Sequence, residues 1–268
     1  MRNKVMIVTG ASSGIGRALA IEGLKRGMKV ALAARNLHGL NETIAASGAN
    51  PGSYLVVETD VTRKEDCHNL VKATIEKFGQ IDVLVNNAGI SMRALFEEVD
   101  LSVLHRLMEV NFWGMVYCTR FALPYLLESK GSIAGISSIA GHKGLPGRTG
   151  YSASKFAMHG FLESLRIENL RKGLHVLIAC PGFTASNIRI AALTGDGSAQ
   201  GESPRAEEKM MTAERVAWLI LQAVEKRKNS LVLTMQGKLT VWLNKFLPSV
   251  VDKLVLKHMA LETDSPLK

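Results

Sequence analysis

The sequence has only three cysteines among its 268 residues: Cys67, Cys118 and Cys180. They are odd in number and far apart. Neither a disulfide framework nor a CxxC metal site can be built from them, and a reducing compartment fits. No run of 18 or more apolar residues occurs, so no segment is expected to span a membrane as a helix. The first strand-like run begins at Lys4, which leaves no room for a signal peptide and points to the cytoplasm. The histidines include no pair at i, i+4 and no matching carboxylate pattern, so no metal site is expected. Low hydrophobicity with high charge, the signature of disorder, is also missing.

What is present fits one folded domain: 47% hydrophobic residues and 21% charged residues. Net charge is +9 and pI about 9.5. The Lys and Arg residues are spread along the chain, with one short cluster at Lys226, Arg227 and Lys228, and no aromatic residues interleave with a basic stripe. A nucleic-acid partner is therefore not expected. Solvated faces and a polyanionic small ligand account for the charge, and an acidic membrane surface stays compatible.

Short apolar, β-branched runs alternate with longer amphipathic segments. Strands are predicted over residues 5–9, 30–34, 54–59, 83–86, 132–137 and 175–180, and helices over 15–26, 64–78, 101–127 and 151–171. A helix over 213–226 and a strand over 231–234 follow. This alternation predicts right-handed βαβ crossovers in an α/β fold, with a parallel sheet covered on both faces. The body is expected over residues 1–237. Within it, residues 184–212, rich in Ala, Gly and Ser, are expected to form a mobile active-site loop. An apolar extension covers 238–268.

Directly after the first strand stand Gly10, Ser12, Ser13, Gly14, Ile15 and Gly16, leading into a helix. Glycines at such a turn let the backbone approach a pyrophosphate, whose charge sits on the free N–H groups of the helix. The spacing is GxxxGxG rather than GxGxxG, so the general dinucleotide motif is met in context, not in letter. Folds that prefer NAD place a carboxylate on the adenine ribose at the end of the second strand. No acidic residue lies between Met28 and Leu40, whereas Arg35 stands there with a planar fork suited to a 2′-phosphate. NADP is favoured over NAD.

At this point the sequence resembles the classical short-chain dehydrogenase/reductase family. TGASSGIG at 9–16, DV at 60–61, NNAG at 86–89, Asn111, ISS at 136–138, YSASK at 151–155 and PG at 181–182 stand in the family's order and spacing. The resemblance covers residues 4–234. It implies a Rossmann-like, doubly wound, seven-stranded parallel sheet with NAD(P) across the carboxyl ends of its strands. Asp60 and Val61 would then lie against the adenine, and Asn87, Ala88 and Gly89 beside the cofactor ribose. Pro181, Gly182 and Thr184 would lie near the nicotinamide. Read alone, Asp60 equally fits a turn or helix cap, and NNAG a simple turn.

Tyr151 and Lys155 are four residues apart on a helix and share a face. A phenol has an ordinary pKa of about 10. A Lys ammonium and an oxidised nicotinamide both favour the phenolate, so Tyr151 suits a general acid in reduction and a general base in oxidation. The resemblance assigns Ser138 to holding the substrate oxygen, Lys155 also to the nicotinamide ribose, and Asn111 to a water that relays protons from Lys155. The expected activity is interconversion of a carbonyl and an alcohol. A cofactor-sensing protein or a lipid-surface module on the same fold is the alternative, but either leaves the retained Ser138, Tyr151 and Lys155 unexplained.

The substrate pocket is expected to include Ile90, Ser91, Met92, Ile139, Leu145 and Phe183, a lipophilic set, with His142 and Lys143 at its mouth. Residues 238–261 carry apolar positions interspersed with Lys238, Lys245, Lys253 and Lys257, and Pro248 is expected to break or restart a helix. Members of the family that act on steroids or other lipids carry similar extensions. Packing or dimer contact is the first expectation for this segment, and peripheral membrane contact the second. The resemblance also implies a homodimer or homotetramer through helices around 101–127 and 151–171.

Overall fold

The computed structural model describes residues 1–182, 184, 188–203 and 210–267. Its centre is a parallel sheet of β1 (Val5–Thr9), β2 (Lys29–Ala34), β3 (Tyr54–Glu58), β4 (Val83–Asn86), β5 (Ser132–Ile136), β6 (His175–Cys180) and β7 (Ser230–Val232). The seven strands run in the order β3-β2-β1-β4-β5-β6-β7. The winding reverses between β1 and β4, and a cleft opens at their carboxyl ends as doubly wound sheets require. This is the fold class that the sequence predicts.

Alternate side chains of each strand feed opposite cores. Met6 and Val8 of β1 point into one cluster with Leu19, Leu32, Ile220 and Leu221. Ile7 points into the other, with Leu84, Cys118, Leu126 and Leu162. The first core lies under α1 (Gly14–Lys25), α2 (Leu37–Ser47) and α7 (Ala213–Glu225). The second lies under α3 (Lys64–Phe78), α5 (Gly114–Glu128) and α6 (Thr149–Glu168). A strand buried on both faces cannot show polar alternation, which is why these runs read as continuously apolar.

Three departures from the sequence reading have local causes. Helix α2 had no counterpart in it, although Asn36 caps its start by accepting from Gly39 N–H at 3.0 Å and Gly48 ends it at φ +62°. The single helix expected over 101–127 is α4 (Leu101–Met108), a π turn (Glu109–Trp113) and α5. The wide turn presents Asn111 inward, where its Oδ1 accepts from Ile90 N–H at 2.8 Å and its Nδ2 donates to Ile90 O and Ser154 Oγ. The described part of the 184–212 segment is docked rather than loose. Leu193 is buried, donates to Ser91 O at 2.9 Å and accepts from Arg93 N–H at 2.8 Å.

The C-terminal extension is a helical pair, α8 (Met235–Phe246) and α9 (Pro248–Ala260), divided at Pro248 as expected. Helix α8 begins before residue 238, so the boundary between body and extension falls inside it. Polar contacts tie the pair and the residues after it to the loop between β5 and α6 and to the segment after β4. Lys143 Nζ meets Asp252 at 2.5 Å, Asn244 Nδ2 donates to His142 O at 3.2 Å, and Glu262 faces Arg148 at 3.3 Å and Arg93 at 3.6 Å.

Candidate active site

One cavity of about 1050 Å³ runs along the carboxyl ends of the strands. Its first half is the glycine turn. Gly10 and Gly14 have φ of +67° and +51°, which side-chain-bearing residues rarely adopt. A Cβ on Gly16 would lie 2.1 Å from Gly10 O and 2.5 Å from Asn87 Nδ2, so only glycine lets the helix start pack against this turn. Helix α1 has no acidic residue in its first turn and no side-chain cap from Ser13, leaving its N–H groups and positive dipole end facing the cavity. Gly10, Ser12, Ser13, Gly14 and Ile15 line the cavity, while Gly16 supports them from below. These features fit a dinucleotide pyrophosphate.

Thr9 stitches the two sides of the switch point together. Its Oγ1 accepts from Asn87 N–H and Ala88 N–H, each at 3.0 Å, and Asn87 Nδ2 donates to Thr9 O at 2.9 Å. Asn87, Ala88 and Gly89 thereby form one cavity wall, with Asp60 and Val61 beyond them. Asp60 is partly occupied with its own turn, accepting from Thr62 N–H at 3.0 Å and Thr62 Oγ1 at 2.8 Å. Burial pushes its carboxyl pKa up, but the Thr62 hydrogen bonds and the nearby Arg35 and Arg63 outweigh that, and the net shift is downward. The Arg35 side chain is 65% exposed at the cavity rim, 3.9 Å from Asp60 Oδ2. Arg17, which the sequence reading passed over, braces the turn by donating to Ser12 O at 2.7 Å while pairing with Glu42 at 2.8 Å.

The second half gathers the proposed chemistry. Ser138 follows β5, and Tyr151 and Lys155 stand on α6, so a strand end and a helix face bring the three to one wall. Ser138 and Tyr151 line the same stretch of the cavity wall. Burial raises the Tyr151 pKa, opposed by Ser138 and by the charge of Arg148. Lys155 Nζ donates to Ile136 O at 2.9 Å and lies 5.7 Å from the Tyr151 ring centre. Burial lowers its pKa to about 8. Asn111 does not reach the cavity surface. It sits one layer behind, beside Gly89 and Lys155, where a Cβ on Gly89 would meet Asn111 Oδ1 at 3.1 Å and Lys155 Nζ at 3.6 Å.

Ile139, Leu145, Ile90, Ser91, Pro181, Gly182 and Thr184 line the cavity as expected from the sequence. Phe183 lies outside the described residues. Met92 does not reach the cavity: it is fully buried with Leu107 and Leu193, because the docked Leu193 segment covers it. His142 and Lys143 are not at the cavity mouth either. His142 packs edge-on against His159 with ring centres 4.5 Å apart, and Lys143 is drawn to Asp252.

Packing of the C-terminal segment on the body was expected from the sequence, but none of its residues was singled out as lining the cavity. Leu239, Leu243, Val251, Leu254, Val255 and Met259 of α8 and α9 close the cavity from above, with Thr240 and His258 among them. Their three- and four-residue spacing was visible, but nothing in it said which apolar face turns inward.

A protein-family model described as short chain dehydrogenase matches residues 4–196. A "Dehydrogenase/reductase SDR family protein 7-like" of Dictyostelium discoideum is 37% identical, covering 96% of this chain and 82% of its own length. The "11-beta-hydroxysteroid dehydrogenase A" of Sesamum indicum is 36% identical over 93% of this chain and 73% of its own. Among solved structures, a short chain dehydrogenase/reductase from Burkholderia phymatum in complex with NAD superposes with a TM-score of 0.82 at 26% identity, covering 93% of this chain and 95% of that one. A short-chain dehydrogenase from Streptomyces avermitilis gives 0.77 at 31% identity over 96% and 97%. Motif order, sheet topology and a family model spanning most of the chain thus agree: the protein is an oxidoreductase that belongs to the short-chain dehydrogenase/reductase family.

Proposed function

We propose that this protein interconverts a carbonyl and an alcohol on a lipophilic substrate, with NADP(H) as the hydride carrier. The observation that carries the reading is the convergence of Ser138, Tyr151 and Lys155 on one wall of a cavity with an apolar roof. When bound, the nicotinamide supplies or accepts the hydride. The chain's own residues do the rest. Ser138 offers a hydroxyl to the substrate oxygen and stabilises charge gathering there. Tyr151, which burial keeps protonated at neutral pH, hands its proton to that oxygen during reduction. In oxidation the Lys155 ammonium eases loss of the phenolic proton, and Asn111, one layer behind, holds the helix break that aims this corner.

Coenzyme preference rests on Arg35 at the rim and on the lack of acidic residues between Met28 and Leu40. The lipophilic substrate class is supported by the roof and by the hydroxysteroid dehydrogenase name of a relative. Exposed Trp113, Phe156 and Ile167 on the π turn and α6 support self-association through those helices. Exposed Trp242, Phe246, Val250 and Leu254, flanked by exposed Lys245 and Lys253, support peripheral membrane contact by a protein facing the cytoplasm. Among the described residues no helix is long and apolar enough to cross a membrane.

The test is NADPH oxidation with a panel of steroid and aromatic ketones, comparing the native chain with Tyr151→Phe. Turnover in the native chain and its loss in the variant are expected. Equal activity in both removes Tyr151 from the proton-transfer role.

A further inference from the structure

Behind the catalytic wall lies a second cluster that the oxidoreductase chemistry does not use. His142 leaves the short 3-10 turn after Ser138, His159 stands on α6 one turn beyond Lys155, and Cys180 ends β6. One ring nitrogen of each histidine and the Cys180 sulfur all lie within 4.8 Å of one another. His159 Nε2 is 3.9 Å from Cys180 Sγ and 2.7 Å from Ser137 Oγ. Cys180 is fully buried and His159 is 8% exposed. His142 Nε2 is shut off from solvent and has no hydrogen-bond partner among the described residues.

A buried imidazole nitrogen without a partner is costly, so the site holds coordinating capacity that the fold does not itself consume. Gly141 keeps the space open: a Cβ there would lie 2.5 Å from His159 Nε2 and 2.8 Å from Ser137 Oγ.

We propose that His142, His159 and Cys180 form an inhibitory binding site for a thiophilic divalent cation, Zn²⁺. Two imidazoles and a thiolate are a donor set that Zn²⁺ takes, with the Ser137 hydroxyl or a water in the fourth position. Tetrahedral zinc brings its nitrogen and sulfur ligands to roughly 3.3–3.7 Å from one another. The His159–Cys180 separation is therefore near the required value, and small side-chain rotations close the rest. On binding, the Cys180 thiol gives its proton to solvent and no electrons move.

Inhibition follows from position. Ser137 adjoins Ser138, and His159 lies on the same helix face as Lys155. Seating a cation breaks the Ser137–His159 hydrogen bond, shifts both groups apart and sets a positive charge beside the Lys155 ammonium. The binding claim stands apart from the proposed reaction, whereas the inhibition claim rests on it.

The experiment uses the full chain, stripped of metal by a chelator and titrated with Co²⁺ as a spectroscopic probe and with Zn²⁺. Co²⁺ is expected to give a thiolate-to-metal charge-transfer band saturating near one equivalent. Zn²⁺ should displace that band and inhibit turnover over the same concentration range, and added chelator should reverse both effects. Cys180→Ser should lose the band and the inhibition, His142→Gln should weaken both at least about tenfold, and Cys118→Ala should keep both. Circular dichroism checks that each variant is folded. If Cys180→Ser does not fold, His142→Gln on the loop decides. No thiolate band in the native chain, or a band and inhibition unchanged in the folded variants, overturns the proposal. A clear band with no inhibition overturns the regulatory role alone, and an inactive native chain with a normal band faults the oxidoreductase reading instead.

Discussion

Removing the guanidinium of Arg35 is expected to separate the two coenzymes if the proposed NADP(H) preference holds. In the structure this group lies 3.9 Å from Asp60 Oδ2 with 65% of its side chain exposed. At that distance in water the Coulomb attraction is about 1 kcal/mol, and exposed pairs of this kind contribute about 0–1 kcal/mol net. Arg35 can therefore leave Asp60 for a phosphate at little cost. A charge-assisted hydrogen bond to a phosphate contributes about 1.5–3 kcal/mol. Arg35→Ala should then raise the Kd for NADPH roughly 10- to 150-fold, while the Kd for NADH moves less than about threefold. Fluorescence titration of the purified chain with each coenzyme at matched ionic strength measures both. The NADPH effect should shrink with added salt, because the contact is solvent-exposed. Equal losses for the two coenzymes, or an unchanged NADPH affinity, would refute the assignment of Arg35 to the 2′-phosphate.

Gly16→Ala drives a methyl to within 2.1 Å of Gly10 O, so the glycine turn or α1 must shift. The expected cost is about 1–3 kcal/mol with coenzyme affinity down at least about tenfold, and unchanged Tm and Kd would argue against the packing described. For Lys155 the sign is set by burial. The folded protein releases this proton near pH 8 and the unfolded chain near 10.5, so the unfolded state binds more protons between those values and stability rises with pH there. Lys155→Met should be inactive yet more stable than the native apoprotein at pH 7, by roughly 3 kcal/mol, with the advantage fading toward pH 10.5 in denaturant titrations. Glu262→Gln removes the buried carboxylate that faces both Arg148 and Arg93; a loss of about 3–5 kcal/mol and a KM rise larger than the fall in kcat are expected. Trp242→Ser with Phe246→Ser should lower sedimentation with anionic liposomes without changing kcat, and undiminished sedimentation removes the membrane reading.

How far the sequence reached depended on how local each signal was. Strands β1, β2, β4, β5 and β6 were legible because both their faces are buried, so each is an apolar run flanked by turn residues, while the half-buried edge strand β3 was legible from its apolar run over residues 55–57. The glycine turn and the Tyr151–Lys155 pair were legible because their geometry is set within eight residues of chain. Helix α2 escaped although Asn36 and Gly48 mark its ends. The π turn escaped because widening one turn leaves the hydrophobic period of 101–127 nearly intact. The cluster of His142, His159 and Cys180 has no spacing motif at all. Its members meet only because a loop, a helix and a strand end share one corner, which is topology rather than pattern. Met92 was misplaced for the same reason, since the segment that covers it lies a hundred residues further on.

Because α8 and α9 supply much of the apolar ceiling over Ser138, Tyr151 and Lys155, the proposed ligand preference and the proposed proton chemistry draw on largely different stretches of polypeptide. Grafting a different terminal hairpin onto the same body is thus expected to change selectivity while leaving Ser138, Tyr151 and Lys155 in place.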